Sequence, residues 1–131
     1  MYLTMSQTNH YECTVKVEVS FLPEQSDIEH NRYAFAYHVT ITNTGNIAAQ
    51  LISRHWIIAE ADGEQQEVKG LGVVGAQPLL NPGEHYEYSS GTVINTPMGE
   101  MYGTYQMVAE DGTKFDAVIP NFQLNMPRVL H

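Results

Sequence analysis

The sequence has no second cysteine. Cys13 is the only thiol in 131 residues, so no intramolecular disulfide can staple the chain. That composition suits a reducing compartment, and the cytoplasm is the expected location. A reactive thiol needs a cationic neighbour to lower its pKa, and Glu12 and Thr14 flank Cys13 instead. Cys13 is therefore expected to be a small apolar residue at a strand start. Basic residues are also scarce. Lys16, Arg32, Arg54, Lys69, Lys114 and Arg128 stand against 15 acidic residues, for a net charge of −9. They are scattered along the chain. Binding to nucleic acid or an anionic membrane needs clustered cations, so neither partner is expected. Long apolar runs are missing too. Nothing approaches the roughly 20 residues of a bilayer-spanning helix. Met1 to Ser6 lacks the basic and apolar regions of a signal peptide. A helical hydrophobic period is absent throughout.

What is present has period two. Val15, Val17, Val19 and Phe21 alternate with polar residues, as in a strand with one buried face. After a polar, acidic loop from Pro23 to Asn31, the same alternation runs through Tyr33, Phe35, Tyr37, Val39 and Ile41. That strand ends in the turn cluster Asn43-Thr44-Gly45-Asn46. A third strand, about Ala49 to Glu60, carries the single Trp56. It is apolar on both faces, which predicts a central position. A short polar strand follows at Gln65 to Lys69, then a glycine- and proline-rich loop from Gly70 to Gly83. Glu84 to Val93 is strand-like. Met101, Gly103, Tyr105, Met107 and Ala109 share one face of the next strand. Asp111-Gly112 suits a tight hairpin turn, because both residues tolerate positive φ. In the last strand the apolar phase changes at Pro120, from Phe115, Ala117 and Ile119 to Phe122 and Leu124. Proline cannot donate to a ladder, so a β-bulge or edge break is predicted there. Seven or eight short strands at regular spacing predict an all-β, antiparallel sandwich of immunoglobulin or fibronectin III type. The length suits one domain over residues 1–131. Its core is expected at about 11–124, with partly mobile termini that include Asn125 to His131.

Three constellations invite chemistry. Gly70, Gly72 and Gly75 match the spacing of a dinucleotide-binding loop. That motif needs a buried strand before it and a helix after it. Here polar Gln65 to Lys69 precedes it, and Pro78 and Pro82 follow, so a cofactor is not expected. Six histidines, His10, His30, His38, His55, His85 and His131, form no His-x-His or His-x-x-x-His pair. His38 and His55 could meet only across strands, and no metal site is assigned. Ser89, Ser90 and His85 share a strand without a nucleophile elbow, and no catalytic residue is assigned. Arg54 shares a strand face with Trp56. It is expected either to pair with a carboxylate or to sit at the sandwich rim as a recognition group.

As a set these residues resemble the ApaG family. Arg54 and Trp56 are followed by Gly70-Leu71-Gly72-Val73-Val74-Gly75-Ala76-Gln77-Pro78. Then come Pro82-Gly83-Glu84, Tyr88, Ser90-Gly91, Thr96-Pro97 and Gly99. The alternating Met101, Gly103, Tyr105 and Met107 precede Asp111-Gly112, Phe115 and Ile119-Pro120. The resemblance covers about Tyr11 to Leu124. It implies an immunoglobulin-like sandwich and little chemistry. Bacterial members are associated with cobalt and magnesium resistance, and the founding gene lies beside one for a dinucleoside polyphosphate hydrolase. Related domains occur in eukaryotic F-box proteins and in a DNA-polymerase-delta-interacting protein.

The functional expectation is a non-enzymatic binding module that engages another protein, a second copy of the chain included. The candidate surface is Gly70, Gly72, Val73, Val74, Gly75, Gln77 and Pro78, with Arg54. Val73 and Val74 are expected to project from the loop tip, the other placement being that both fold back into the core. The alternatives are a nucleotide or polyphosphate binder or weak phosphohydrolase, and a divalent-cation sensor.

Overall fold

The computed structural model describes residues 8–127. The expectations for Met1 to Ser6, and for the end of the chain from Arg128 onward, lie outside that range. Eight strands appear in order: β1 (Cys13–Phe21), β2 (Tyr33–Asn43), β3 (Ala49–Glu60), β4 (Gln65–Leu71), β5 (Leu79–Leu80), β6 (His85–Ile94), β7 (Met98–Ala109) and β8 (Lys114–Asn125). They form two antiparallel sheets. One has the order β1-β2-β6; the other has the order β4-β3-β7-β8, with β5 paired to β3. The sheets pack face to face as a sandwich. Among the described residues no helix is long and apolar enough to cross a membrane.

The period-two pattern explains the buried faces directly. Tyr33, Phe35, Tyr37, Val39 and Ile41 of β2 are all buried. They meet Leu51, Trp56, Met101, Tyr105, Met107 and Ile119 from the other sheet in one core. Cys13 is buried at the start of β1. Burial first, and Glu12 second, push its thiol up to about 11, so it is an apolar filler rather than a nucleophile.

Two bulges set which side chains reach that core. In β3 the register against β7 shifts between Leu51 and Ser53, leaving Ile52 as the extra residue. Ala49 and Leu51 point inward before the shift, and Trp56 and Ile58 after it. This phase change explains why β3 reads as apolar on both faces, and β3 is indeed interior to its sheet. In β8, Met101 faces Phe122 while Gly103 faces Ile119. Pro120 and Asn121 therefore stand opposite Tyr102 alone, as the proline predicted.

Several details differ from the sequence expectation. β4 continues past Lys69 to Leu71, because Gly70 and Leu71 pair with Arg54 and Ser53. The acidic loop holds two short 3-10 turns, Pro23–Gln25 and Ile28–His30. At the β7–β8 turn only Gly112 takes positive φ. Asp111 instead accepts the Thr113 N–H at 2.9 Å and the Tyr11 hydroxyl at 2.6 Å. Asn43, expected merely as a turn residue, is buried. Its amide donates to Ile47 O and Leu80 O and accepts from Gly45 N, each at 2.9 Å. It thus ties β5 to the β2–β3 connection.

Trp56 lies 5.4 Å from the Tyr37 ring centroid, 5.9 Å from Phe122 and 6.2 Å from Tyr105, so it touches both sheets. Trp56→Ala is expected to cost about 3–5 kcal/mol in urea denaturation; a loss well below one kcal/mol would contradict this placement. A pH effect is expected at Asp111. The Tyr11 hydroxyl first, then the Thr113 N–H and hydroxyl, hold its carboxyl down at about 2, from an ordinary 3.8. A depressed folded pKa gives stability that is present above the ordinary value and is lost as pH falls through the folded one. Wild type should therefore lose stability against Asp111→Asn as pH falls from about 4 to 2. Parallel pH–stability curves for the two proteins would refute the bond.

Candidate functional site

The glycine segment is built around Arg54. After the Ile52 bulge Arg54 shares the inward side of β3 with Trp56, directly opposite Gly70 on β4 and Tyr105 on β7. A Cβ on Gly70 would meet the guanidinium at 2.8–2.9 Å, so this glycine leaves room for Arg54. Arg54 Nη1 donates to Leu71 O at 3.0 Å and to Gly72 O at 2.9 Å. Among the described residues no carboxylate lies within ion-pair reach of Arg54. The carboxylate pairing is therefore not what holds it; two backbone carbonyls do.

Beyond Gly70 the chain forms no phosphate loop. Gly72 is buried at φ 63, and a Cβ there would lie 2.4 Å from Ala76 O. Val73 and Ala76 then bond each other in both directions, at 2.8 and 3.0 Å, around Val74-Gly75. Val74 has φ 48 and Gly75 φ 80, the positive pair of a type I′ turn. The Gly72, Val73 and Ala76 amides are thus spent on the chain's own carbonyls, Gly72 N donating to Ile52 O. Among the described residues no helix follows whose N-terminus could hold pyrophosphate.

The two valines part company. Val73 is 0 % exposed and belongs to the core, whereas Val74 is 68 % exposed. The expectation that both project is corrected by the I′ turn, which turns Val73 inward and leaves Val74 at the tip. A β-branched residue at positive φ is a conformational outlier, and the favoured residue there is Asn or Gly. Gln77 and Pro78 act as anchors. Gln77 Nε2 donates to Ile52 O at 2.9 Å, Gln50 Nε2 to Gln77 O at 3.0 Å, and Leu51 N to Pro78 O at 3.0 Å. Leu71 and Leu79 bracket the segment and are 75 % and 60 % exposed.

Sequence reasoning missed a second cluster. His38 on β2 pairs with Ser89 on β6 in the ladder. Ser89 Oγ lies 2.8 Å from His38 Nδ1, Glu87 2.8 Å from His38 Nε2, and Glu87 3.2 Å from His85. The signal was present: 85, 87 and 89 share one face of a strand, but the partner strand was not identifiable. His38, more than the other groups, lowers the Glu87 carboxyl below its ordinary range. The cluster resembles a Ser–His–Glu chain, yet it is solvent-exposed on an open sheet face whose amides serve the ladder, so it has no oxyanion donors. His55 sits elsewhere, against Glu67 at 2.8 Å, and the structure does not bring His38 and His55 together. Lys69 and then His55 lower Glu67 in turn. Among the described residues no group of three or more His, Cys, Asp or Glu side chains is placed to hold a metal ion.

The family model for the ApaG domain matches residues 23–109. The chain belongs to the ApaG family. It is 64 % identical over 127 residues to Protein ApaG of Methylobacillus flagellatus and 61 % identical to that of Nitrosospira multiformis. Each alignment covers 97 % of this chain and all of the relative. The fold is similar to that of a Bordetella pertussis protein described as ApaA, with a TM-score of 0.87 and 55 % identity over 91 % of this chain and 97 % of that one. A second solved structure, a structural-genomics target, gives a TM-score of 0.85 at 48 % identity over 92 % of this chain and 91 % of that one. None of these ApaG relatives is named for a reaction.

The split between the valines makes opposite substitutions informative. Val73→Ser should cost about 2–4 kcal/mol, from lost burial and an unpaired hydroxyl. Val74→Asn should raise stability by about 0.5–1 kcal/mol by relieving the turn. Equal and large losses in thermal denaturation would mean that both residues are core.

Proposed function

We propose that this ApaG-family chain is a single-domain, non-enzymatic protein-binding module of the cytoplasm, with an immunoglobulin- or fibronectin-like sandwich as its scaffold. It engages its partner through the 71–79 segment. The observation that carries this reading is the coincidence of three exposed apolar side chains, Leu71, Val74 and Leu79, with a turn that holds a valine in a strained conformation. Apolar side chains presented to solvent on a rigidly anchored segment suit contact with another protein. Strain retained where a better turn residue exists supports a role other than stability. The acidic surface, and the use of the Gly72, Val73 and Ala76 amides within the chain, weigh against polyphosphate as its ligand.

The test compares affinity capture by the wild-type chain with capture by a Val74→Ser, Leu79→Ser variant, using Val118→Ser on an outward position of β8 as control. A specific protein should be retained by wild type and control and lost from the loop variant. Folding stability should stay within about 0.5 kcal/mol in both variants. Sedimentation velocity on the same set reads self-association, which should weaken only in the loop variant if the partner is a second copy. Identical capture and association by all three proteins would refute the reading.

A further inference from the structure

A cleft of about 270 Å³ opens between the sheets on the side where β4 and β6 are both edges. Trp56, Ile58, Val68 and Met101 give it an apolar lining, Tyr37 an aromatic wall, and Gln66, Ser90 and Thr92 polar groups. Arg54 reaches into the same space. Around this arginine, hydrogen-bond donors outnumber acceptors. A guanidinium has five N–H groups. The two on Nη1 serve Leu71 O and Gly72 O, and among the described residues Nε and Nη2 have no partner. The Tyr88 and Tyr105 hydroxyls bond each other across the sheets. That pair uses one of its two protons, and among the described residues neither hydroxyl has a further acceptor. Both phenols are pushed up by burial and stay neutral donors, and both lie within electrostatic reach of Arg54 and Tyr37.

We infer that this cleft is a binding site for a small organic acid, one carboxylate on an apolar or aromatic body, with Arg54 as the carboxylate-binding group. Nε and Nη2 are adjacent donors on one side of a planar group, and their spacing matches the two oxygens of a carboxylate. Trp56, Ile58 and Met101 are almost wholly buried, so the body of the ligand meets their outer edges together with Val68, while Gln66, Ser90 and Thr92 face it from the polar side. A polyphosphate fits poorly, since Arg54 is the only cation among the lining residues and the chain carries a net charge of −9. The volume lies at or below the lower end for drug-sized ligands, which sets a small acid as the occupant. This site is separate from the exposed face of the 71–79 segment, so either assignment can fail without the other.

The probe is phenylacetate, followed by two-dimensional NMR of the full chain with the Trp56 indole as reporter. Phenylacetamide, inorganic phosphate and an N-acetylated, amidated tripeptide with a central glutamate serve as comparisons. Phenylacetate should shift Trp56 saturably, and the amide should bind about tenfold more weakly or worse, as expected for loss of a charge-assisted pair. Arg54→Gln should lose the shift while Arg54→Lys keeps part of it. The amide comparison uses the unaltered chain, so it decides the point even where Arg54→Gln fails to fold. No saturable shift from phenylacetate, equal binding of acid and amide, or tighter binding of phosphate or of the tripeptide would each overturn the assignment.

Discussion

The sandwich depends on aromatic contact between its two sheets at Trp56. The indole stands on an interior strand, edge-on to Tyr105 and Phe122 and tilted against Tyr37 of the opposite sheet. Aromatic pairs in these geometries add specific attraction to their buried area. Close by, the Tyr88–Tyr105 hydroxyl pair is a buried polar bond that runs from β6 to β7 across the sheets. Buried hydroxyls left single would be costly, so the pair also fixes how the sheets are placed relative to each other.

The bulges make that arrangement possible. Without the extra residue at Ile52, Trp56 would fall on the face opposite to Leu51, because a one-residue slip reverses every side chain. Pro120 and Asn121 do the same for Phe122 relative to Ile119. The Ile52 shift also has a chemical result. It brings Arg54 to the inner side of β3, where Gly70 gives it space and the turn carbonyls hold it. Packing and the candidate site thus share one local irregularity.

Much of this was legible in the residues. Strand boundaries for β2 and β3, the central place of β3 and the bulge at Pro120 follow from alternation and from proline chemistry. The Ile52 bulge was visible only as apolar residues on both faces, which a buried central strand produces equally well. Val73 and Val74 were inseparable by composition, because their different fates depend on two consecutive positive φ values in the turn. Arg54 was recognisable as unusual beside Trp56. Its partners were not, since backbone carbonyls leave no signature in a sequence. The His38–Ser89–Glu87 contact required knowing that β2 pairs with β6, a non-consecutive neighbour that local patterning does not specify.

The strained turn has a consequence for how this chain tolerates change. Most substitutions in a folded domain lower stability. At Val74 the ordering is reversed for the residues that suit positive φ, so drift under selection for folding alone would carry the position away from valine. If the 71–79 segment is the contact surface proposed above, a saturation library scored once for cellular abundance and once for partner binding would show opposite signs at residue 74. Under the proposed contact surface, residue 74 separates what the domain needs to fold from what it needs to be recognised.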